Sequence, residues 1–516
     1  MNGKGKTSIP VEKCVSIWVR LLSFPKLPGA VRWGLGLFTT ALVLFLTLVL
    51  LGHSLERNVM KKSQATVIDK ELASRHELLR QPVLDYANPP AFQVEVDYAE
   101  GRDGVWWPKG ESPILAELVE KGKLPPVAER VGTEPVVYRG FGGIGRYGGD
   151  WWRLAEDIDT VRMAMQYELA NTQFVRHSPY GEPFRPHLAR RVEPNRDCTV
   201  WIVELRRGVR WSDGTPFTAE DIIWWWENVD KNPEVGVIGG DMRVDGRPGE
   251  IEKIDDYTLR YTFPVAHPGW LEAIAWAGGA ARMAGPKHYM KQFHPKLGNQ
   301  ELIQELCRTE MLTPKALFQK KNHPLNTERP KLGPWIFRTY SSVGPWTAVR
   351  NPYYFAVDEK GNQLPYLDRL VFRQVGGGLQ AKAVTDGLTS FAPAPVGTDY
   401  SSLLSTRKAG NYSVQHWVPD SRGALTIVPN RTKAFYTTDP VELKKAALLD
   451  NPEFRRALSI AINRQTIIDA ELKGVGQPAT MGPPPGLPWY DPELLKINAG
   501  YAPERAAAHL GSFSHY

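Results

Sequence analysis

One uncharged run, Gly34 to Gly52 (GLGLFTTALVLFLTLVLLG), constrains this chain more than any other feature, because it divides the sequence into parts suited to different solvents. It is about long enough to cross ~30 Å of hydrocarbon as a helix, and the sequence contains no second run like it. Before it lie Lys4, Lys6, Lys13, Arg20, Lys26 and Arg32 against the single acid Glu12. The positive-inside rule therefore expects residues 1–32 to be cytoplasmic, residues 33–52 to be a membrane anchor or signal, and the chain from His53 onward to lie outside. A cleaved secretory signal is the rival reading, but its apolar core is usually shorter, and Gly52-His53-Ser54 makes a poor small-x-small cleavage site. A lipoprotein reading fails, because Cys14 precedes the apolar run and no cysteine follows it closely.

The remainder is long enough for more than one hydrophobic core, since single cores stop growing at ~250–300 residues. Its composition, 42% hydrophobic and 23% charged, is that of a globular protein. The formal charge of +7 falls to about +2 once the basic leader is set aside, so nothing suggests a nucleic acid partner. Only Cys198 and Cys307 lie beyond the apolar run, too few and too dispersed for a disulfide framework or a zinc site, and two free buried thiols are expected.

Residues 53–134 mix a charged helical stretch with proline-broken segments such as NPPAF and KLPPV, which reads as an extracytoplasmic spacer, with the folded body beginning near Pro135. From there short β-rich runs (PVVYRGF, TVWIVEL, YTLRYTF, PWIFRTY, RLVFRQV) recur among helical stretches without steady βα alternation, predicting a mixed α/β body. No repeat of ~20–50 residues is visible, which removes solenoids and propellers.

The most informative stretch is Val200 to Trp226, VWIVELRRGVRWSDGTPFTAEDIIWWW. A strand ending at Arg206-Arg207-Gly208 and a short return strand ending at Asp213-Gly214 read as a β-hairpin, glycine tolerating the positive φ of tight turns. Thr218 then precedes Ala219-Glu220-Asp221 as the N-cap of a helix, with Asp221 in the capping-box position. In that helix Ile222, Trp225, Trp226 and Val229 fall at i, i+3, i+4, i+7 and predict one apolar face.

That string closely resembles the signature of the family 5 extracellular solute-binding proteins, the oligopeptide, dipeptide and nickel binders of ABC importers. Further segments resemble the family in the family's order. They include LANTQFVRHSPYGEPFRPHLARRVEPNRDCTV, IEKIDDYTLRYTF, GPKHYMKQFHPK, GPWIF, RNPYYFAVDEKGNQLPYLDRLVF and NPEFRRALSIAINRQTI. SPILAELVEKGKLPPVAERV with GRYGGDWWRLA looks like a branch carrying an extra N-terminal segment. The resemblance implies a two-lobe, periplasmic-binding-protein-like α/β fold of the large peptide-binding class (type II), with residues 135–385 as first lobe and 386–516 as second. Set against the family, the chain ends inside that second lobe, so an incomplete lobe is expected.

Other motifs have plainer readings. His288 and His294 are six apart, off the spacing of helical metal ligands, and Asp255-Asp256 suits a turn between strands better than a catalytic pair. GGIGRYGG (Gly142 to Gly149) lacks the Gly-Lys-Ser/Thr of a phosphate loop and is expected to let backbone pass close to a ligand or hinge strand. No nucleophile elbow or Cys-His pair appears, so neither catalysis nor a cofactor is expected. The 17 tryptophans, clustered at Trp151-Trp152 and Trp224-Trp225-Trp226, suit aromatic walls for peptide side chains or sugar rings; the consecutive three cannot share one helix face, so some must be core.

What the resemblance implies is capture of an oligopeptide or other extended solute between two lobes, for delivery to ABC permease subunits. The candidate ligand-binding residues it carries over are Tyr147, Gly148, Gly149 and Trp152 at the first-lobe edge, with Trp417 and Asn430 on strands of the second. An acid that holds the peptide α-amine in many members would fall beyond Tyr516. Oligosaccharide capture within the same family and an envelope hydrolase acting on cell-wall material are the alternatives.

Overall fold

The computed structural model describes residues 92–516 apart from 141–142, 171, 179–180, 277–284, 340, 342, 394–399, 415–427, 473, 475, 481, 483–489 and 512–516. The chain divides into two compact units, Met1–Ala73 and Ser74–Tyr516, and every described residue belongs to the second. The apolar run therefore lies outside the described residues. Among those residues no helix is long and apolar enough to cross a membrane.

The described strands are, in chain order, β1 (Val136–Tyr138), β2 (Asp150–Ala155), β3 (Val175–Ser178), β4 (Gly181–Pro186), β5 (Ala189–Pro194), β6 (Val200–Leu205) and β7 (Arg243–Val244). They continue with β8 (Arg247–Pro248), β9 (Glu250–Asp255), β10 (Thr258–Thr262), β11 (Trp335–Phe337), β12 (Trp346–Arg350), β13 (Ala356–Asp358) and β14 (Arg369–Gln374). Two four-stranded sheets dominate, β5-β6-β10-β9 and β11-β12-β14-β2. The first is antiparallel, whereas β2 joins the second in parallel with β14. With helices between and after the sheets, the body is mixed α/β as the run pattern predicts.

Side chains alternate across β6, where Trp201, Val203 and Leu205 turn inward. They meet Leu259 and Tyr261 of β10 and Trp270 in a core that also takes Phe217, Ile222 and Trp226. A second core gathers Trp335, Phe337, Trp346, Leu370 and Phe372 over Val161 and Met165. Full burial of one such aliphatic or aromatic side chain is worth about 1.5–3 kcal/mol.

The expected hairpin exists but in a different register. Both edges of β6 are taken by β5 and β10, so β6 has no free side for a return strand. Gly208 (φ +84°) backs onto Gly132, and the segment beyond it folds on itself: Phe217 N donates to Val209 O (2.9 Å), Trp211 N to Thr215 O (2.8 Å), with Gly214 (φ +91°) closing the turn. The helix that follows, Ala219–Trp225, carries the predicted capping box, Thr218 Oγ1 accepting from Glu220 N and Asp221 Oδ2 from Thr218 N (3.2 Å). Its apolar residues do not form one face. A wider π turn over Trp226–Asp230 shifts the register, so Ile222 and Trp226 enter the first core while Trp224, Trp225 and Val229 pack with Met290, Phe293 and Phe318. All three tryptophans are core.

The spacer expectation fails for residues 92–134. Trp106, Val127 and Val131 are buried against Val137 and Val357, and Arg130 is wholly buried, so this segment is part of the folded body. Its prolines start helices rather than break structure: Pro113 opens Pro113–Glu120 at the position where a missing N–H is harmless, and Pro126 precedes Val127–Val131.

Toward the end of the chain the described structure is helical: Tyr400–Gly410, Pro440–Asp450, Pro452–Ala461, Arg464–Glu471 and Pro503–Gly511. Ala457 and Ile460 meet Ala506 in a small apolar cluster, and Asn451 and Asn463 cap the helices they precede. Cys198 and Cys307 are both free, and each is partly rather than fully buried.

Candidate functional site

Four of the six candidate residues lie where the chain enters β2, the edge strand of the second sheet. Gly148 (φ +114°) and Gly149 (φ +87°) take conformations that side chains rarely adopt, and both are bound to the strand-entry segment opposite. Gly148 N donates to Tyr366 O (3.0 Å), and Asp368 N donates to Gly149 O (3.0 Å). A Cβ on Gly149 would meet nothing within 4 Å and one on Gly148 only Asp368 Oδ2 at 3.9 Å, so backbone is openly approachable here.

Tyr147 faces the other way. Its hydroxyl donates to Gln363 O (2.8 Å), with Gly110 O at 3.2 Å, and its ring packs edge-on to Tyr366 beneath the Arg350 guanidinium. Burial first, then the Asp358 charge, push that hydroxyl above its ordinary pKa, so it stays a neutral donor. Arg350 is held in turn by Asp368 (2.8 Å), which also accepts from Ser112 Oγ (3.1 Å). Tyr147 thus fixes the two glycines rather than presenting a free polar group.

Trp152 is half-buried, with the Arg373 guanidinium 4.9 Å from its ring centroid. Its backbone does something the sequence does not announce: Ser390 N (2.9 Å) and Thr389 Oγ1 (2.9 Å) donate to Trp152 O, and Trp152 N donates to Ser390 Oγ (3.3 Å). The chain beyond Leu388 thereby docks on the open edge of β2, bridging Phe391 to Arg153 in parallel. Below that junction Arg153, only 5% exposed, pairs with Glu168 (3.0 Å) and lies against the rings of Trp151, Phe372 and Phe391.

The second-lobe candidates are not brought to this place. Trp417 lies outside the described residues. Asn430 is exposed in a non-strand segment, where its side-chain oxygen accepts from Thr432 N and Thr432 Oγ1 (both 3.1 Å); the strand expected there is replaced by a turn leading into a 3-10 helix over Lys433–Tyr436.

The remaining titratable motifs are engaged structurally. Asp255 accepts from Tyr257 N (2.7 Å) in the β9-β10 turn, which holds its carboxyl below the usual range, and Asp256 pairs with Lys253 (2.7 Å). His288 Nε2 contacts Asp213 (2.7 Å), while His294 bonds Asn228 O through Nε2 (2.9 Å) and accepts from Lys296 N through Nδ1 (3.2 Å). Among the described residues no group of three His, Cys, Asp or Glu could hold a metal ion.

The sequence profile of the bacterial extracellular solute-binding proteins, family 5 (middle region), matches residues 183–513, well over half of the chain. The chain belongs to that family. Family 5 proteins similar to it include the periplasmic alpha-galactoside-binding protein of Rhizobium meliloti (strain 1021), 28% identical over 390 residues that make up 70% of this chain and 53% of that protein. Di/tripeptide-binding protein 1 of Pseudomonas aeruginosa (strain UCBPP-PA14) is 24% identical over 65% of this chain and 55% of its own length. Among solved structures, an oligopeptide-binding protein OppA aligns with a TM-score of 0.62 and 30% identity, covering 79% of this chain and 64% of that one. The periplasmic binding protein MelB of Agrobacterium fabrum C58, solved with stachyose, aligns at 0.58 and 25%, covering 79% and 62%. This family 5 chain spans about half the length of the curated relatives it matches. Family 5 proteins are binding proteins rather than enzymes.

Proposed function

We propose that this chain captures an extended solute outside the cytoplasm for an ABC importer, with an oligopeptide as first reading, and that it binds without catalysis. The observation that carries the reading is the family 5 match over residues 183–513. The β2 edge supports it. An extended peptide is recognised largely by main-chain hydrogen bonds, and the open space over Gly148 and Gly149 beside the Trp152 ring would let an extended solute come close to backbone and to an aromatic wall. Residues 135–385 act as one lobe and residues from 386 as part of another, with the Trp152–Ser390 junction at the crossing between them. Closure of the lobes around solute presents a changed surface to the permease subunits. Residues 33–52 tether the protein to the membrane, with the chain beyond them extracytoplasmic.

A second ligand class, an oligosaccharide, is favoured by the alpha-galactoside-binding relative and by the stachyose complex of MelB. Trp152 suits a sugar face as well as a peptide side chain.

Calorimetric titration with a random peptide pool and, separately, with stachyose tests the proposal. Saturable heat with either, without product in the recovered ligand, supports capture and names the class. Product formation from cell-wall peptide or glycan would instead make the chain a hydrolase. Mass spectrometry of the mature N-terminus tests the tether: a chain starting near Leu55 shows a cleaved signal.

A further inference from the structure

Residues 110–112 belong to the N-terminal segment, yet they hold the groups that shape the Gly148-Gly149 edge. Gly110 N donates to Gly361 O (3.1 Å) and Gln363 N to Gly110 O (2.8 Å), bridging Gly110 to Asn362 in parallel. A side chain has no room there, since a Cβ on Gly110 would meet Asn362 Oδ1 at 2.0 Å. The Tyr147 hydroxyl reaches Gly110 O (3.2 Å) as well as Gln363 O (2.8 Å), so the residue before the two glycines is tied to both sides of that bridge.

Ser112 makes the second attachment. It is 1% exposed, and its Oγ donates to Asp368 Oδ1 (3.1 Å), the same oxygen that pairs with Arg350 (2.8 Å). Asp368 is the residue whose N–H bonds Gly149 O (3.0 Å). Its other carboxylate oxygen, Oδ2, is the one described atom beyond the chain neighbours that comes within 4 Å of a Cβ placed on either glycine. A carboxylate turns freely about its last torsion, so hydrogen bonds rather than rotamer preference decide where Oδ2 points. With Ser112 and Arg350 both on Oδ1, Oδ2 is left bordering the open space over Gly148.

We propose that Ser112 is a positioning residue of the solute site, and that residues 110–112 hold the Gly148-Gly149 edge in the shape that accepts solute. The proposal rests on that edge facing solute, as read above. It adds that the site draws on the N-terminal segment, outside the stretch 183–513 that the family profile matches. Ser112 acts through Asp368: the bond to a charged acceptor is stronger than one between neutral groups, and it fixes both the oxygen beside Gly148 and the residue whose N–H anchors Gly149. An acceptor oxygen beside open backbone suits a solute that brings an N–H or O–H donor, which a peptide and a sugar both do.

The test compares the full chain with Ser112→Ala, Tyr147→Phe and Gly149→Ala, using the random peptide pool and stachyose as separate probes. Hydrogen exchange without solute reads the edge directly. Ser112→Ala should speed exchange at Asp368 N, and Tyr147→Phe at Gly148 N, each by roughly fivefold to tenfold, as loss of one hydrogen bond implies, with β6 and β10 unchanged. In calorimetry Ser112→Ala should bind the probe that the parent takes up roughly tenfold more weakly. A residue serving the fold alone would lower the melting temperature and leave the affinity of the folded molecules as it was. The positioning role is overturned if Ser112→Ala binds as tightly as the parent or leaves exchange at Asp368 N unchanged. Should Ser112→Ala not fold, affinity and Gly148 exchange in Tyr147→Phe decide in the same way. A parent chain that binds neither probe, or Gly149→Ala binding as tightly as the parent, would instead show that solute does not sit at this edge, and the proposal falls with that reading.

Discussion

Replacing Arg130 by Met tests whether residues 92–131 are structural. The guanidinium is wholly buried and donates from Nε to Pro125 O (2.9 Å), from Nη1 to Gln363 Oε1 (3.0 Å) and Pro352 O, and from Nη2 to the Glu111 carboxylate. It therefore joins the N-terminal segment to the chain just before and after β13. Methionine keeps most of the volume and removes every donor. Glu111, whose side chain is 14% exposed, is left without its counter-ion; burial already raises its pKa, and Arg130 is the group that opposes the rise. Removing one member of a buried pair costs about 3–5 kcal/mol. The loss should be local, because Trp106, Val127 and Val131 pack in a cluster separate from the two large sheet cores. The assay is hydrogen exchange with limited proteolysis, comparing Arg130→Met with the double variant Glu111→Gln/Arg130→Met. The single variant should lose protection across residues 92–131, and the double variant should regain about 1–3 kcal/mol because no charge is stranded. Protection within about 1 kcal/mol of the parent chain in the single variant would refute the reasoning and return the segment to a spacer.

Thr218→Ala should cost about 1 kcal/mol in urea unfolding through loss of the capping box, with ligand selectivity unchanged; altered selectivity at unchanged stability contradicts the structural role. Gly132→Ala should cost about 1–3 kcal/mol, since φ is +88° and the new Cβ would meet the Gly208 backbone at 2.7 Å; an unchanged melting temperature would remove the claim that these loops touch. His187 is buried and neutral, its pKa held well below the ordinary value by burial first and then by Arg176 and Arg206. The unfolded chain takes up this proton near pH 6.5 while the folded chain does not, so stability present above that pH falls as the medium is acidified, by up to about 1.4 kcal/mol per pH unit. Melting curves from pH 7.5 to 5 should show that slope in the parent chain and a flatter one in His187→Gln; equal slopes would mean other groups set the acid limit.

What was legible in the sequence was what is decided within a few residues. The Thr218 capping box and the β9-β10 turn at Asp255-Asp256 each follow from contacts a turn away, and each forms as the sequence predicts. The hairpin after β6 was misread because the strand's true second partner, β10, arrives more than fifty residues later and occupies the edge a return strand would need. Residues 92–134 were misread because proline stops a strand or helix in passing but starts one when it stands at the first turn; the two tryptophans Trp106-Trp107 were the available sign of a buried cluster. Glycine identity marked Gly148 and Gly149, whereas the inward aim of the Tyr147 hydroxyl depends on Gln363, which no local pattern connects to it.

The junction at β2 shows why the site itself resists sequence reading. Both neighbours of β2 come from far along the chain, β14 on one side and residues 389–391 on the other, so the strand's role is defined by closure of long loops rather than by its own residues. Arg153 is the consequence. In a solvent-facing position it would be an ordinary strand arginine, but the arrival of Phe391 together with Phe372 and Trp151 surrounds its guanidinium with ring faces and leaves Glu168 as its charge partner. A planar guanidinium tolerates that environment where an ammonium would not, being more weakly hydrated and able to stack on aromatic rings. If residues from 386 onward move relative to 135–385 when solute is captured, the motion must pass through the hydrogen bonds on Trp152 and the Phe391 contact with Arg153, because these are where the later chain is attached to β2. Were the β2 edge to face solute as proposed, the hydrogen bonds on Trp152 and the Phe391 contact with Arg153 would touch both that edge and the later segment docked on it, and Ser390→Ala, which removes the side-chain bond to Trp152 N, would then be expected to alter ligand affinity.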